Sequence, residues 1–237
     1  MIAHPSRYHR GRMADPDVDR LRAAIVSAGA RLGAHGLVVA AEGNLSARLA
    51  GDEILITPTG RRKDELDRAD LVVVPLEQGD GSHDGTGSVA ARPSSDVAIH
   101  RAIYRARPDA IAIVHAHIPA AMALTVAGLA PDPAELPETA LLLPRLPLVP
   151  FGAMGSEELA ARIATALAIG PEPLPRAALL ERHGAVSVGT SAASAGDADP
   201  VRALAAAIEV MELVDVLCRV WRDAVLLRAA AGGGERY

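Results

Sequence analysis

The chain is 237 residues long, half of them hydrophobic, with a formal net charge of −5 and a sequence pI near 5.9. That length fits one large domain or two small ones, and the acidic balance argues against the basic footprint of a nucleic-acid binder. Cys218 is the only cysteine, which excludes an intrachain disulfide and a cysteine-built zinc site, and no uncharged apolar run reaches the ~18 residues of a membrane helix.

The opening stretch MIAHPSRYHRGRM has no apolar core of a signal peptide. It reads as a flexible basic tail over residues 1–14, with His4 and His9 in solvent. A cytoplasmic, reducing setting fits this start and the single cysteine. One Phe, one Trp and three Tyr leave an aliphatic core, and the many alanines suit close helix packing.

Asp15-Pro16 resembles an N-cap followed by proline at the first helical position, and apolar spacing predicts a helix from Val18 to about Ala34, closed by Gly36. LVVAAEGNLSARL reads as a strand, a turn at Gly43-Asn44 and a second strand. EILITPTG is a short strand ending in a Pro/Gly turn, and LVVVPL is another strand. The Gly-, Ser- and Asp-rich stretch from Glu77 to Arg92 reads as an exposed loop. Ser94 or Ser95 is expected to cap a helix running to about Arg107, ended by Pro108. AIAIVHAH reads as a buried strand, and Pro119 opens a helix to about Val126. Residues 130–150 contain six prolines and are expected to be irregular, with short extended pieces. Ser156 caps a helix to about Ala168. ALLERHGAVSVG reads as a strand pair broken at His183-Gly184. Asp199-Pro200 begins the last long helix, where Val201, Leu204, Ile208, Met211 and Asp215 continue one face. Strands and helices interleave without an internal repeat, so the class is α/β or α+β with a central sheet flanked by helices.

His115-Ala116-His117 is the sharpest local signal. Residues two apart on a strand share a face, so both imidazoles converge at the strand's C-terminal end. Imidazole suits zinc, manganese or iron, although two polar residues at a strand end can also make ordinary hydrogen bonds. A catalytic metal usually takes three protein ligands and keeps one position open, and His183 before Gly184 is the natural third. His35 at a helix end suits the helix dipole. His100, inside a helix, reads as structural. Ser94-Ser95-Asp96 offers hydroxyls and N–H groups to an anion, or serves as a plain N-cap. Asp96 either counters the dipole or reaches a metal as ligand or base. Glu42-Gly43-Asn44 and Thr57-Pro58-Thr59-Gly60 are turns with backbone N–H groups suited to phosphate oxygens, and also common turn chemistry.

In order, Gly43-Asn44-Leu45-Ser46, Ile56-Thr57-Pro58-Thr59-Gly60, Pro93-Ser94-Ser95-Asp96, His115-Ala116-His117 and His183-Gly184 resemble the class II aldolase/adducin family, from about residue 18 to 228. The resemblance implies a single α/β domain over 15–237, three-layered, with a central mixed, mainly antiparallel sheet flanked by helices. It implies a homotetramer of C4 symmetry with active sites at subunit interfaces. His115, His117 and His183 would hold Zn2+, with Mn2+ or another divalent metal as alternatives, and Asp96 would act as a further ligand or as the base. Gly43, Asn44, Thr59, Gly60, Ser94 and Ser95 would bind the phosphate of a sugar substrate. The implied reaction is reversible aldol cleavage of a small ketose 1-phosphate to dihydroxyacetone phosphate and an aldehyde.

Two departures bear on that reaction. The family's sugar-phosphate aldolases typically carry glutamate where Asp96 stands. They also use a proton-donating tyrosine after the histidine pair, whereas this chain has none between Tyr104 and Tyr237. Glu138, in LPETALLL, falls near that stretch and is a candidate proton donor, or a polar loop residue. The same site suits a methylthioribulose-1-phosphate-type dehydratase, with Glu138 as acid/base. It also suits a ribulose-phosphate 4-epimerase, favoured by Asp96 and opposed by the missing tyrosine. A non-catalytic, adducin-like interaction domain is opposed by the three retained histidines.

Overall fold

The computed structural model describes residues 15–77, 92–190 and 199–232. The expected tail over 1–14, with His4 and His9, lies outside the described residues, as does nearly all of the expected loop between Glu77 and Arg92. Helix α1 (Asp15–Ala34) is followed by strands β1 (Asn44–Arg48), β2 (Glu53–Ile56) and β3 (Val72–Pro75). Helix α2 (Val97–Ala106), strand β4 (Ala110–Ala116), helices α3 (Pro119–Val126) and α4 (Pro137–Leu142) and strand β5 (Leu148–Val149) come next. Helix α5 (Glu157–Ala168), strands β6 (Ala177–Leu180) and β7 (Gly184–Thr190) and the long helix α6 (Pro200–Ala230) complete the order.

The seven strands form one sheet in the order β3-β2-β1-β4-β7-β6-β5. Every pairing is antiparallel except β5 with β6, so the sheet is mixed and mainly antiparallel. The sheet separates two aliphatic cores. On one face Leu45, Leu55, Val114 and Leu179 meet α1, α3 and α6. On the other, Ile54, Ile56, Ile113 and Val186 meet α2 and α5. Each fully buried aliphatic side chain contributes about 1.5–3 kcal/mol by leaving water. Leu204, Ile208 and Met211 of α6 all lie in the first core, as their spacing predicts. Among the described residues no helix is long and apolar enough to cross a membrane.

Three expectations are corrected. Residues 37–43 form turns rather than a strand before Gly43. Leu37 and Val38 are buried against the α1 core, but both edges of β1 are already taken, by β2 and β4, so a preceding strand has no ladder to join. Neither serine caps α2: Asp96 occupies that position without a side-chain bond to the helix. The Ser94 hydroxyl instead accepts from Asp96 N at 3.3 Å, and the Ser94 N–H donates to Thr57 O at 3.1 Å, which ties the serine pair to the turn after β2. The proline-rich stretch contains a short helix, α4, where Pro137 supplies a fixed φ at the first helical position.

Candidate active site

β4 is the central strand of the sheet, and its C-terminal end delivers His115 and, just beyond it, His117. His183 arrives from the tight turn between β6 and β7, on the strand next to β4. Gly184 makes that approach possible, with φ at +141° and no room for a side chain against the backbone of Ala116 and His117. The three rings stand edge to face with centroids 4.8–5.0 Å apart, and one nitrogen from each lies within 4.8 Å of the others.

Their hydrogen bonds fix which nitrogens face inward. His115 Nδ1 lies 2.9 Å from Ala185 O, which only accepts, so Nδ1 carries the proton. His117 Nδ1 lies 3.4 Å from the Glu42 carboxylate, an ion-pair distance that favours a proton on that nitrogen. The two Nε2 atoms face each other 3.2 Å apart. Two nitrogens bound to one tetrahedral zinc stand roughly 3.4 Å apart, so this spacing fits a shared ion. His183 is buried with neither ring nitrogen hydrogen-bonded. Burial pushes the His115 imidazole well below its ordinary pKa, helped by His183 and His117, and burial likewise lowers His183, with His117 acting the same way. Both are therefore neutral at pH 7, as a metal ligand must be. Converging ring nitrogens and an orphaned buried imidazole fit a divalent cation such as zinc, manganese or iron.

Asp96 stands at the rim of this cluster, its Oδ2 3.9 Å from His115 Nε2. A buried chain of polar groups holds it there. Asn44 Nδ2 donates to Asp96 Oδ2 at 2.9 Å, which leaves Asn44 Oδ1 to accept from His100 Nε2. His100 Nδ1 then accepts from the Ser46 hydroxyl, which in turn lies 2.9 Å from the Tyr104 hydroxyl. Burial lowers the His100 pKa to about 3, so the ring stays neutral and this bonding direction holds.

A pocket of about 340 Å³ opens beside the histidines. Its wall includes Gly43 and Asn44, Thr59, the Ser94-Ser95 pair and Asp96, with His117 and His183 at the histidine end. Of the sequence-predicted site residues, His115 is fully buried behind this wall, within the histidine cluster, and two others stand apart from the pocket. Gly60 keeps its turn conformation, with φ at +70°, but does not line the pocket. Glu138 is exposed on α4 and also lies outside the pocket of its own chain. Of the other histidines, His35 pairs with Glu212 just past α1, and His100 is structural as expected but bonded directly to a site residue.

The sequence reading missed Lys63, which lines the pocket from within the charged run Arg61-Arg62-Lys63-Asp64-Glu65. Such a run reads as a solvated surface, and nothing local separates Lys63 from its neighbours. It also missed Glu42 as the partner of His117, and Met154-Gly155 on the pocket wall, which reach it through tertiary contacts alone.

The family model for the Class II Aldolase and Adducin N-terminal domain matches residues 23–221. The 3-oxo-tetronate 4-phosphate decarboxylase of Cupriavidus necator is 37% identical over 171 residues, 70% of this chain and 73% of the relative. The methylthioribulose-1-phosphate dehydratase of Acidiphilium cryptum is 43% identical over 108 residues, 45% of this chain and 48% of the relative. The crystal structure of L-fuculose-1-phosphate aldolase from Thermus thermophilus superposes with a TM-score of 0.71 at 32% identity, covering 92% of this chain and 99% of the other. With its mixed sheet, its histidine cluster and a match over most of its length, the chain belongs to the class II aldolase and adducin N-terminal domain family.

Proposed function

We propose that the chain is a metal-dependent lyase that breaks a carbon–carbon bond in a small phosphorylated sugar, by reversible aldol cleavage of a ketose 1-phosphate. The observation that carries this reading is the convergence of ring nitrogens from His115, His117 and His183 beside Asp96, at one end of the pocket. When bound there, a divalent metal such as Zn2+ or Mn2+ would polarise the substrate carbonyl and stabilise the negative charge that develops on its oxygen.

The protein's own groups supply orientation and proton transfer. The hydroxyls of Thr59, Ser94 and Ser95, beside the turn that carries Gly43 and Asn44, stand at the end of the site suited to a phosphate, which would fix the register of the sugar. Asp96 takes the proton from the hydroxyl whose carbon leaves as the aldehyde and returns a proton to the carbon left behind. Asn44 holds one Asp96 oxygen, so the other is free for that transfer. Glu138 enters this reading only across an interface between copies of the chain, in a homotetramer with shared sites.

Decarboxylation of a 3-oxo acid phosphate is the second reading, and the 37% identity to a decarboxylase over 70% of the chain favours it. Both reactions break a bond to the carbon beside a polarised carbonyl. The test is a panel of ketose 1-phosphates and a 3-oxo-tetronate 4-phosphate, assayed with Zn2+ and with Mn2+. Aldehyde and dihydroxyacetone phosphate are the expected products. Carbon dioxide release without aldehyde transfers the assignment to the decarboxylase, and water loss alone to the dehydratase. Turnover of none of them by metal-loaded protein overturns the proposal.

A further inference from the structure

Lys63 is 1% exposed, and its ammonium is held by two backbone carbonyls, Ala41 O at 2.8 Å and Arg61 O at 2.6 Å. Those carbonyls belong to the two turns that flank the pocket, one entering β1 and one following β2. An ammonium has three donors, so one remains for the pocket that Lys63 lines. Among the described residues it has no carboxylate partner. The nearby acids are committed elsewhere: Asp64 and Glu65 pair with Arg62, and Asp70 with Arg61. Asp96, across the pocket, favours the charged Lys63 from a distance but makes no ion pair with it, its Oδ2 being held by Asn44.

The position of Lys63 is rigid. A methyl group on Gly29 of α1 would lie 2.1 Å from Lys63 O, and one on Gly33 would lie 2.8 Å from Asp64 Cβ, so the helix rests directly on this segment. Burial lowers the Lys63 pKa to about 8, which leaves the amine mostly charged at pH 7. A buried charge without a contacting counter-charge is costly, and neutral carbonyls offset only part of that cost. The hydroxyls of Thr59, Ser94 and Ser95 on the pocket wall can orient an anion but cannot neutralise one.

We propose that Lys63 is the counter-charge for the phosphate group of the substrate and sets the preference for phosphorylated over neutral sugars. This rests on the phosphorylated-sugar reading above, but its test needs no turnover. Inorganic phosphate is titrated into the metal-free full chain by calorimetry, comparing the wild type with Lys63→Met and with Lys63→Arg. Loss of one charge-assisted hydrogen bond predicts phosphate binding about 10–100-fold weaker in Lys63→Met, with Zn2+ affinity unchanged and with Lys63→Arg close to wild type. Wild-type phosphate affinity in Lys63→Met, or parallel loss of phosphate and zinc binding, overturns the inference. Should Lys63→Met fail to fold, the wild-type Nζ resonance of Lys63 is followed by NMR during the same titration. It is expected to shift and saturate with phosphate, and an unmoved resonance overturns the inference. A chain that binds phosphate through Lys63 but cleaves none of the panel sinks the reaction and leaves this site standing.

Discussion

Replacing Gly184 with alanine tests whether the histidine cluster depends on a backbone contact rather than on the rings alone. The added methyl group would lie 2.2 Å from Ala116 O and 2.9 Å from His117 Cα. Both atoms are backbone at the strand end that carries the other two histidines, so neither can rotate away. Real contacts of this kind begin near 3.0 Å. The turn carrying His183 must therefore withdraw by roughly 1 Å to restore van der Waals spacing. Metal–ligand distances tolerate only about 0.2 Å, so His183 drops out of reach of an ion held by His115 and His117. Overpacking costs about 1–3 kcal/mol, and the φ of +141° adds about 1–3 kcal/mol for a residue with a side chain. Zinc affinity, measured by competition with a chromophoric chelator, should fall by more than about 100-fold, the upper end for losing a group outside the ligand set. Urea unfolding should show the stability loss in parallel. A Gly184→Ala protein that binds zinc with wild-type affinity would refute the assignment of His183 as a ligand.

Two further outcomes follow from the same geometry. Asp96→Asn keeps a hydrogen-bonding partner for Asn44 but cannot take a proton, so turnover on the best substrate of the panel should drop about 10²–10⁴-fold with the fold intact by circular dichroism; near wild-type turnover would remove Asp96 from the proton path. In chelator, stability should fall as pH drops from about 7 towards 5: His100, His115 and His183 are held neutral by burial below their unfolded value, so unfolding takes up protons there and each adds a slope of up to about 1.4 kcal/mol per pH unit, and a urea midpoint that stays flat over that range contradicts buried neutral rings.

The readable features are those whose physics is local. Ser156 accepts from Leu159 N as an N-cap, Asp199 does the same for Val201 N before the last helix, and the period-2 spacing of His115 and His117 does converge two rings. Gly184 is where a glycine between two strands signals close backbone approach, and the contact is with the other histidine strand. The misreadings come from partners distant in sequence. Leu37-Val38-Val39 has strand composition, but strand formation needs a free edge and β1 has none to give. Ser94 and Ser95 have capping chemistry, but Ser94 is bonded to the turn after β2 and Asp96 takes the cap position. Lys63 is buried because α1 rests on it through Gly29, a contact across more than thirty residues that no window of charges reveals.

The outer strands of the sheet bear on how copies of the chain can stick to one another. β5 is two residues long and lies between Pro147 and Pro150, which have no N–H to offer an incoming strand. β3 ends at Pro75, and the carbonyls of Pro75 and Leu76 are already taken by the guanidinium groups of Arg101 and Arg105. Both borders are thus blunted against edge-to-edge growth, the route by which exposed strands seed aggregates. Among the described residues, contact between copies would then fall to helices and loops rather than to the borders of the sheet.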